Sequence, residues 1–148
     1  MNKNVESIAP ENYSSVCPYL MVESVEDTLD FLTKVFNAKK REGLKTPDGF
    51  IVHGTATIYE VTIMLGRTSP EYSALPGMNY IFTDDVDKTY TKALEYGAKS
   101  LMKPANQFYG FRECGVEDPQ GNQWWIAKKF EHVEPEEIQR RLHELNDD

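Results

Sequence analysis

The spacing of apolar positions alternates between two periods along this chain. Val16–Val22 is a short, apolar, β-leaning run. After Ser24, the residues Val25, Leu29, Leu32 and Phe36 fall on one face at helical spacing, which predicts an amphipathic helix capped by Ser24 and stopped in left-handed geometry at Asn37. Strands are predicted at Lys39–Leu44, Ile51–Tyr59 and Val61–Leu65, with Thr46-Pro47-Asp48-Gly49-Phe50 as a turn. Met78–Thr83 reads as another strand. A helix over Val86–Tyr96 follows, capped by Asp84 or Asp85 and ended by Gly97, and Ala98–Leu101 returns to extended chain. The run Gly115–Ile126 reads as strand, tight turn, strand. Pro119 suits the turn's fixed φ, Gly121 its positive φ, and Asp118 and Asn122 local hydrogen bonds. Last comes a helix over Pro135–Leu145, with Glu136 and Glu137 early and Arg140 and Arg141 late, complementing the helix dipole.

The order of elements repeats. Val25 matches Val86, Phe36 Tyr96, Asn37 Gly97, Ala38 Ala98 and Lys39 Lys99, at an interval of 61 residues for the first pair and 60 for the others. Five matches in order predict two βαβββ units within one α+β domain over residues 1–148. The first unit spans 16–66, a linker 67–77, the second unit 78–130 and the terminal helix 134–146.

Charge and composition narrow the function. The formal net charge is −8 and no block of Lys or Arg is present, which disfavours a phosphate backbone as partner. Acidity suits a cationic ligand, although it more often serves solubility. No apolar run approaches a membrane span, and the polar stretch Met1–Asn12 lacks the hydrophobic segment of an export signal. No membrane partner is expected and the expected location is cytoplasmic. Cys17 and Cys114, the two cysteines, are expected to be reduced thiols, and neither belongs to a zinc-spaced cluster.

Several stretches, taken in order, resemble the vicinal oxygen chelate superfamily (glyoxalase, bleomycin resistance protein, dioxygenase), and its PhnB-like branch in particular. They are Pro18-Tyr19-Leu20, Val52-His53-Gly54, Asp85-Val86-Asp87, Phe108-Tyr109-Gly110-Phe111-Arg112 and Asp118-Pro119-Gln120-Gly121-Asn122-Gln123-Trp124, with the tail Glu134-Pro135-Glu136-Glu137. The resemblance covers roughly Val16 to Glu131 and implies a glyoxalase/bleomycin-resistance fold with helices outside a ligand-holding cup. It also implies a homodimer. Strand alternation then predicts that Leu20 and Val22 pack under helices, while Cys17, Tyr19 and Met21 face the cup. His53, Thr55 and Thr57 face it from the third strand, opposite Val52, Ala56 and Ile58. Met78, Tyr80 and Phe82 face it from the fifth strand, and Gln123, Trp125 and Ala127 from the last.

The family's metal site takes His, Gln or Glu at four positions, which by this resemblance are Cys17, Met64, Met78 and Trp125. Two thioethers and an indole do not bind a hard divalent ion. A shift of one residue offers Pro18, Leu65, Asn79 and Ile126, which is no better. No metal site and no cofactor are therefore expected. The expected ligand-binding residues are Tyr19, His53, Met64, Met78, Tyr80, Tyr109, Phe111 and Trp125, suited to a small aromatic or cationic molecule. The alternative is that these side chains simply fill the interior.

Two function classes follow. The first is a metal-independent small-molecule binding protein. The second is a lyase or dioxygenase-type enzyme of the same superfamily, using Cys17 as nucleophile with His53 as base, or a metal held by unrecognised ligands. Arg112 is read as a structural ion pair with Glu113 or Asp118, or as an anchor for an anion. Glu113 has inward parity, but a lone carboxylate specifies no reaction.

Overall fold

The computed structural model describes residues 8–147, so Met1–Ser7 of the polar N-terminal stretch, and Asp148, lie outside the described residues. The element order is β1 (Tyr19–Val22), α1 (Val25–Phe36), β2 (Lys39–Glu42), β3 (His53–Ile58), β4 (Val61–Arg67), β5 (Met78–Phe82), α2 (Val86–Glu95), β6 (Lys99–Asn106), β7 (Phe111–Glu117), β8 (Gln123–Lys129) and α3 (Pro135–Asn146). The fold class is that expected: two βαβββ repeats followed by a terminal helix. Contacts divide the chain into two compact units, Met1–Gly77 with Pro119–Asn122, and Met78–Asp118 with Gln123–Asp148.

The first unit is a four-stranded sheet ordered β1-β4-β3-β2, with β1 parallel to β4 and the other pairs antiparallel. Helix α1 starts where Ser24 Oγ accepts from the Asp27 N–H at 3.1 Å. It ends at Asn37, whose φ of 55° is left-handed as predicted. Val25, Leu29 and Leu32 of α1 are buried together with Leu20, Val22, Ala56, Ile63 and Leu65 of the sheet. The opposite sheet face carries Tyr19, Met21, His53, Thr55, Thr57, Met64 and Gly66, which share register rows across the strands. Strand β1 is shorter than expected because Pro18 has no N–H for the ladder. Its carbonyl still accepts from Met64 N at 2.9 Å, and Cys17 falls before the strand. Val52 likewise precedes β3 and is exposed rather than part of an apolar face.

The second unit repeats the order as β5-β8-β7-β6. Asp85 Oδ1 caps α2 through the Lys88 N–H at 3.0 Å, and Gly97 takes a φ of 95° just past the helix. Val86 and Ala93 of α2 and Cys114, Val116, Trp124 and Ile126 of the sheet are buried. Arg112 does not pair with Glu113 or Asp118. It lies on the helix side by parity and grips Asp87 at the start of α2 with two bonds of 2.7 Å. Helix α3 carries Pro135 in its first turn and buries none of its residues.

The predicted turn at 118–122 does more than reverse the chain. Asp118 accepts from the Trp124 indole N–H at 2.9 Å, both side chains being buried. Asn122, fully buried, accepts from the Gly77 N–H at 2.8 Å, and Gln120 accepts from the Ser24 N–H at 3.0 Å. Replacing Asn122 with Ala removes an acceptor from a buried site and is expected to destabilise the fold by about 1–3 kcal/mol in denaturant unfolding.

The Asp87 carboxyl is held below its usual range, chiefly by the Arg112 hydrogen bonds. Its contribution to stability is therefore present above the ordinary carboxylate pKa and is lost as pH falls through the depressed value. Asp87→Asn is expected to cost less than about 1 kcal/mol at neutral pH, because the pair is solvent-screened. The gap between variant and wild-type melting temperatures should close in acid.

Candidate functional site

Each sheet has one face covered by a helix and one that is not, and the candidate residues lie on the second. In the first unit this face is mostly polar. Tyr19 and His53 approach with ring centroids 6.0 Å apart, over Gly66, where an added Cβ would sit 2.6 Å from the Tyr19 hydroxyl. Beside them, a cavity of about 560 Å³ is lined by Thr55, Thr57, Thr62, Lys39 and Arg41 among others. Cys17 donates its thiol to Ser14 O at 3.3 Å. Among the described residues no hydrogen bond joins Cys17 to His53.

The second unit differs. Tyr80 and Phe82 of β5 meet at 5.4 Å, Phe82 and Phe111 at 5.4 Å, and Tyr109 and Phe111 at 5.5 Å. The last two contacts are edge-to-face. In their midst lies Glu113, only 7% exposed. The Tyr109 hydroxyl donates to Glu113 Oε2, and the Tyr80 phenol feels the same carboxylate. Burial, then the nearby Glu113 carboxylate, pushes both phenols above their ordinary range, so both stay protonated throughout the physiological range. Among the described residues, no Lys, Arg or His forms an ion pair with Glu113.

Local structure explains how these groups converge. Glu113 stands opposite Ala127 of β8, which in turn stands opposite Phe82 of β5. The small central residue leaves the space above it to its neighbours. Tyr109 is delivered by the turn before β7, closed by Gly110 N to Gln107 O at 3.1 Å with Gly110 at a φ of 95°. One row along, Trp125 lies against Gly115, where an added Cβ would meet the indole at 2.7 Å.

Sequence reasoning set Glu113 aside. The signal was in the repeat: Glu113 lies 60 residues after His53 and Tyr80 lies 61 after Tyr19. The registers agree, since His53 stands opposite Gly66 as Glu113 does opposite Ala127. A tyrosine beside a polar titratable residue, over a small central residue, occurs in both units. Phe82 and Phe111 add apolar walls only in the second.

The four family metal positions do not converge as a donor set. Cys17 precedes its strand, Met64 and Met78 offer thioethers, and the Trp125 indole nitrogen, whose lone pair belongs to the ring, is a donor only and gives its N–H to Gln123 Oε1 at 3.1 Å. These residues do not fit the family's metal. Among the described residues, no group of three or more His, Cys, Asp or Glu is placed to hold one. The buried Cys114 thiol, pushed up to about 12 mainly by burial, is no nucleophile.

The sequence profile of the Glyoxalase/Bleomycin resistance protein/Dioxygenase superfamily matches residues 14–126. The chain belongs to that superfamily. Among solved structures it is similar to TioX from Micromonospora sp. ML1, at a TM-score of 0.66 and 21% identity over 79% of this chain and 99% of that one. It is also similar to a glyoxalase/bleomycin resistance protein/dioxygenase family enzyme from Burkholderia phytofirmans PsJN, with a TM-score of 0.62 and 17% identity over 74% and 93%. These likenesses carry the fold. An uncharacterized protein of Mycobacterium tuberculosis is 26% identical over 144 residues, 90% of this chain and 85% of its own length. Among the described residues of this superfamily member, no helix is long and apolar enough to cross a membrane.

Gly115→Ala is expected to displace the Trp125 indole, destabilise the protein by about 1–3 kcal/mol and alter tryptophan emission. Unchanged emission and melting temperature would show that the indole does not rest on this glycine.

Proposed function

We propose that this superfamily member, read as one of the PhnB-like branch, is a metal-independent binding protein for a small aromatic or cationic molecule. The observation that carries this reading is the open face of the second sheet. Tyr80 is 47% exposed there and Phe82 51%, beside Tyr109, Phe111 and Trp125. Aromatic side chains in contact and open to solvent supply apolar area, with the Tyr109 hydroxyl held by Glu113. Tyr19, His53 and Met64 extend the reading to the first unit's open face, with lesser apolar character. The metal-free reading rests on the donor chemistry at Cys17, Met64, Met78 and Trp125.

The enzyme alternative through Cys17 and His53 is not favoured, since the thiol bonds Ser14 O and the imidazole lies against Tyr19. A homodimer is part of the proposal. Met78, 69% exposed on the same sheet face, is the kind of apolar surface a second copy covers. Sedimentation at micromolar concentration is expected to give a dimer. Two free thiols suit a reducing, cytoplasmic setting.

Titration with 2-naphthol and with phenyltrimethylammonium, followed by ring-current shifts in NMR spectra, tests the binding reading. At least one probe is expected to bind with a Kd below about 1 mM, weakened roughly tenfold or more in Tyr80→Ala and Phe82→Ala. Failure of both probes to bind at millimolar concentration defeats the reading, and stoichiometric metal in the purified protein defeats its metal-free part.

A further inference from the structure

We propose that Glu113 makes the aromatic face of the second unit a site for an organic monocation, such as an aryl or alkyl quaternary ammonium group, in preference to a neutral molecule of the same shape. This rests on the binding reading above and adds the charge of the ligand.

The argument begins with a cost. A carboxylate taken out of water loses solvation that neutral hydrogen bonds only partly replace, and buried acids are ordinarily paired with a cation. Glu113 is more than nine-tenths buried and accepts from the Tyr109 phenol, and none of the ion pairs among the described residues includes it. Its neighbours on the same face are rings: Tyr80, Tyr109, Phe82 and Phe111. Arg112, the adjacent cation in sequence, is turned to the other sheet face and committed to Asp87. Lys128 stands opposite Arg112 in register and is set by the same alternation on that other side. Lys129 shares the face of Phe111 but forms no ion pair with Glu113.

The rings and the carboxylate act on a guest in the same direction. Aromatic faces carry negative electrostatic potential and attract cations, more so in a partly dry site. A phenol that donates to a carboxylate is polarised toward it, which makes the ring behind it richer in electrons. The ring planes are inclined by 60° between Tyr80 and Phe82, 88° between Phe82 and Phe111 and 89° between Tyr109 and Phe111, so faces are offered in several directions. A strongly hydrated ammonium or metal ion would have to shed water that a face made mostly of rings replaces poorly. A quaternary ammonium sheds little and fits rings better than oxygens. An anion meets the carboxylate and is rejected.

Phenyltrimethylammonium and tert-butylbenzene have nearly the same shape and differ in charge. Binding of both to the full chain is measured by NMR, with wild type and Glu113→Gln, which keeps the size and removes the charge. The cation is expected to bind at least about tenfold more tightly than the hydrocarbon in wild type, and the preference should fall to within about threefold in the variant. Circular dichroism confirms that the variant folds. If it does not, the wild-type preference is measured at low and at high salt, and it should shrink as salt rises. Equal binding of the two probes to wild type, or a preference that survives Glu113→Gln, overturns this inference and leaves the binding reading intact. If neither probe binds, and 2-naphthol does not either, the binding reading has failed and this inference with it.

Discussion

Each four-stranded sheet is covered by a single helix, and side chains on neighbouring strand positions point to opposite faces. A covered face must be apolar and close-packed, and it is: Leu20, Val22, Ala56 and Leu65 are buried on the α1 side, and Val116, Trp124 and Ile126 on the α2 side. The uncovered face is released from that demand. It can hold threonines and a histidine in one unit and tyrosines around a carboxylate in the other without changing the fold. One architecture therefore presents two surfaces of different chemistry. Register matters more than composition in deciding which residues reach them.

This dependence explains what the sequence made legible. Caps at Ser24 and Asp85, the left-handed Asn37 and the turn at Pro119–Gly121 are local chemistry, and local chemistry is written in adjacent residues. Parity assigned Tyr19, His53, Tyr80 and Trp125 to the sheet face that carries no helix. Strand ends were less legible: β1 begins at Tyr19 because of a missing proline N–H, and β3 begins after Val52. The partner of Arg112 was missed because a guanidinium reaches across elements, and only tertiary structure shows that Asp87 is nearer than the neighbouring acids. Glu113 was undervalued for a similar reason. Alone it is one acid in an acidic chain; its meaning comes from Tyr80 and Tyr109, which reach it from another strand and from a turn.

The positions that the family resemblance associates with metal hold Cys17, Met64, Met78 and Trp125, and the buried carboxylate stands elsewhere on the same scaffold. In the second unit it sits one strand inward of the sheet's outer β6, at Glu113, flanked by rings. A strand scaffold permits such placement because each register row is an independent place for a polar group.

Helix α3 buries none of its own residues, yet Arg141 ties it to the rest of its unit: its guanidinium donates to Phe108 O at 2.8 Å and to Glu131 at 2.9 Å, with Glu137 at 3.0 Å on the helix itself. Phe108 immediately precedes Tyr109, so the clasp holds the turn that delivers one of the two phenols to Glu113. A terminal helix fastened by charge rather than by apolar packing has a docking equilibrium responsive to ionic strength. Undocking would leave Tyr109 a wider range of positions to sample and raise the entropic cost of ordering it around a guest.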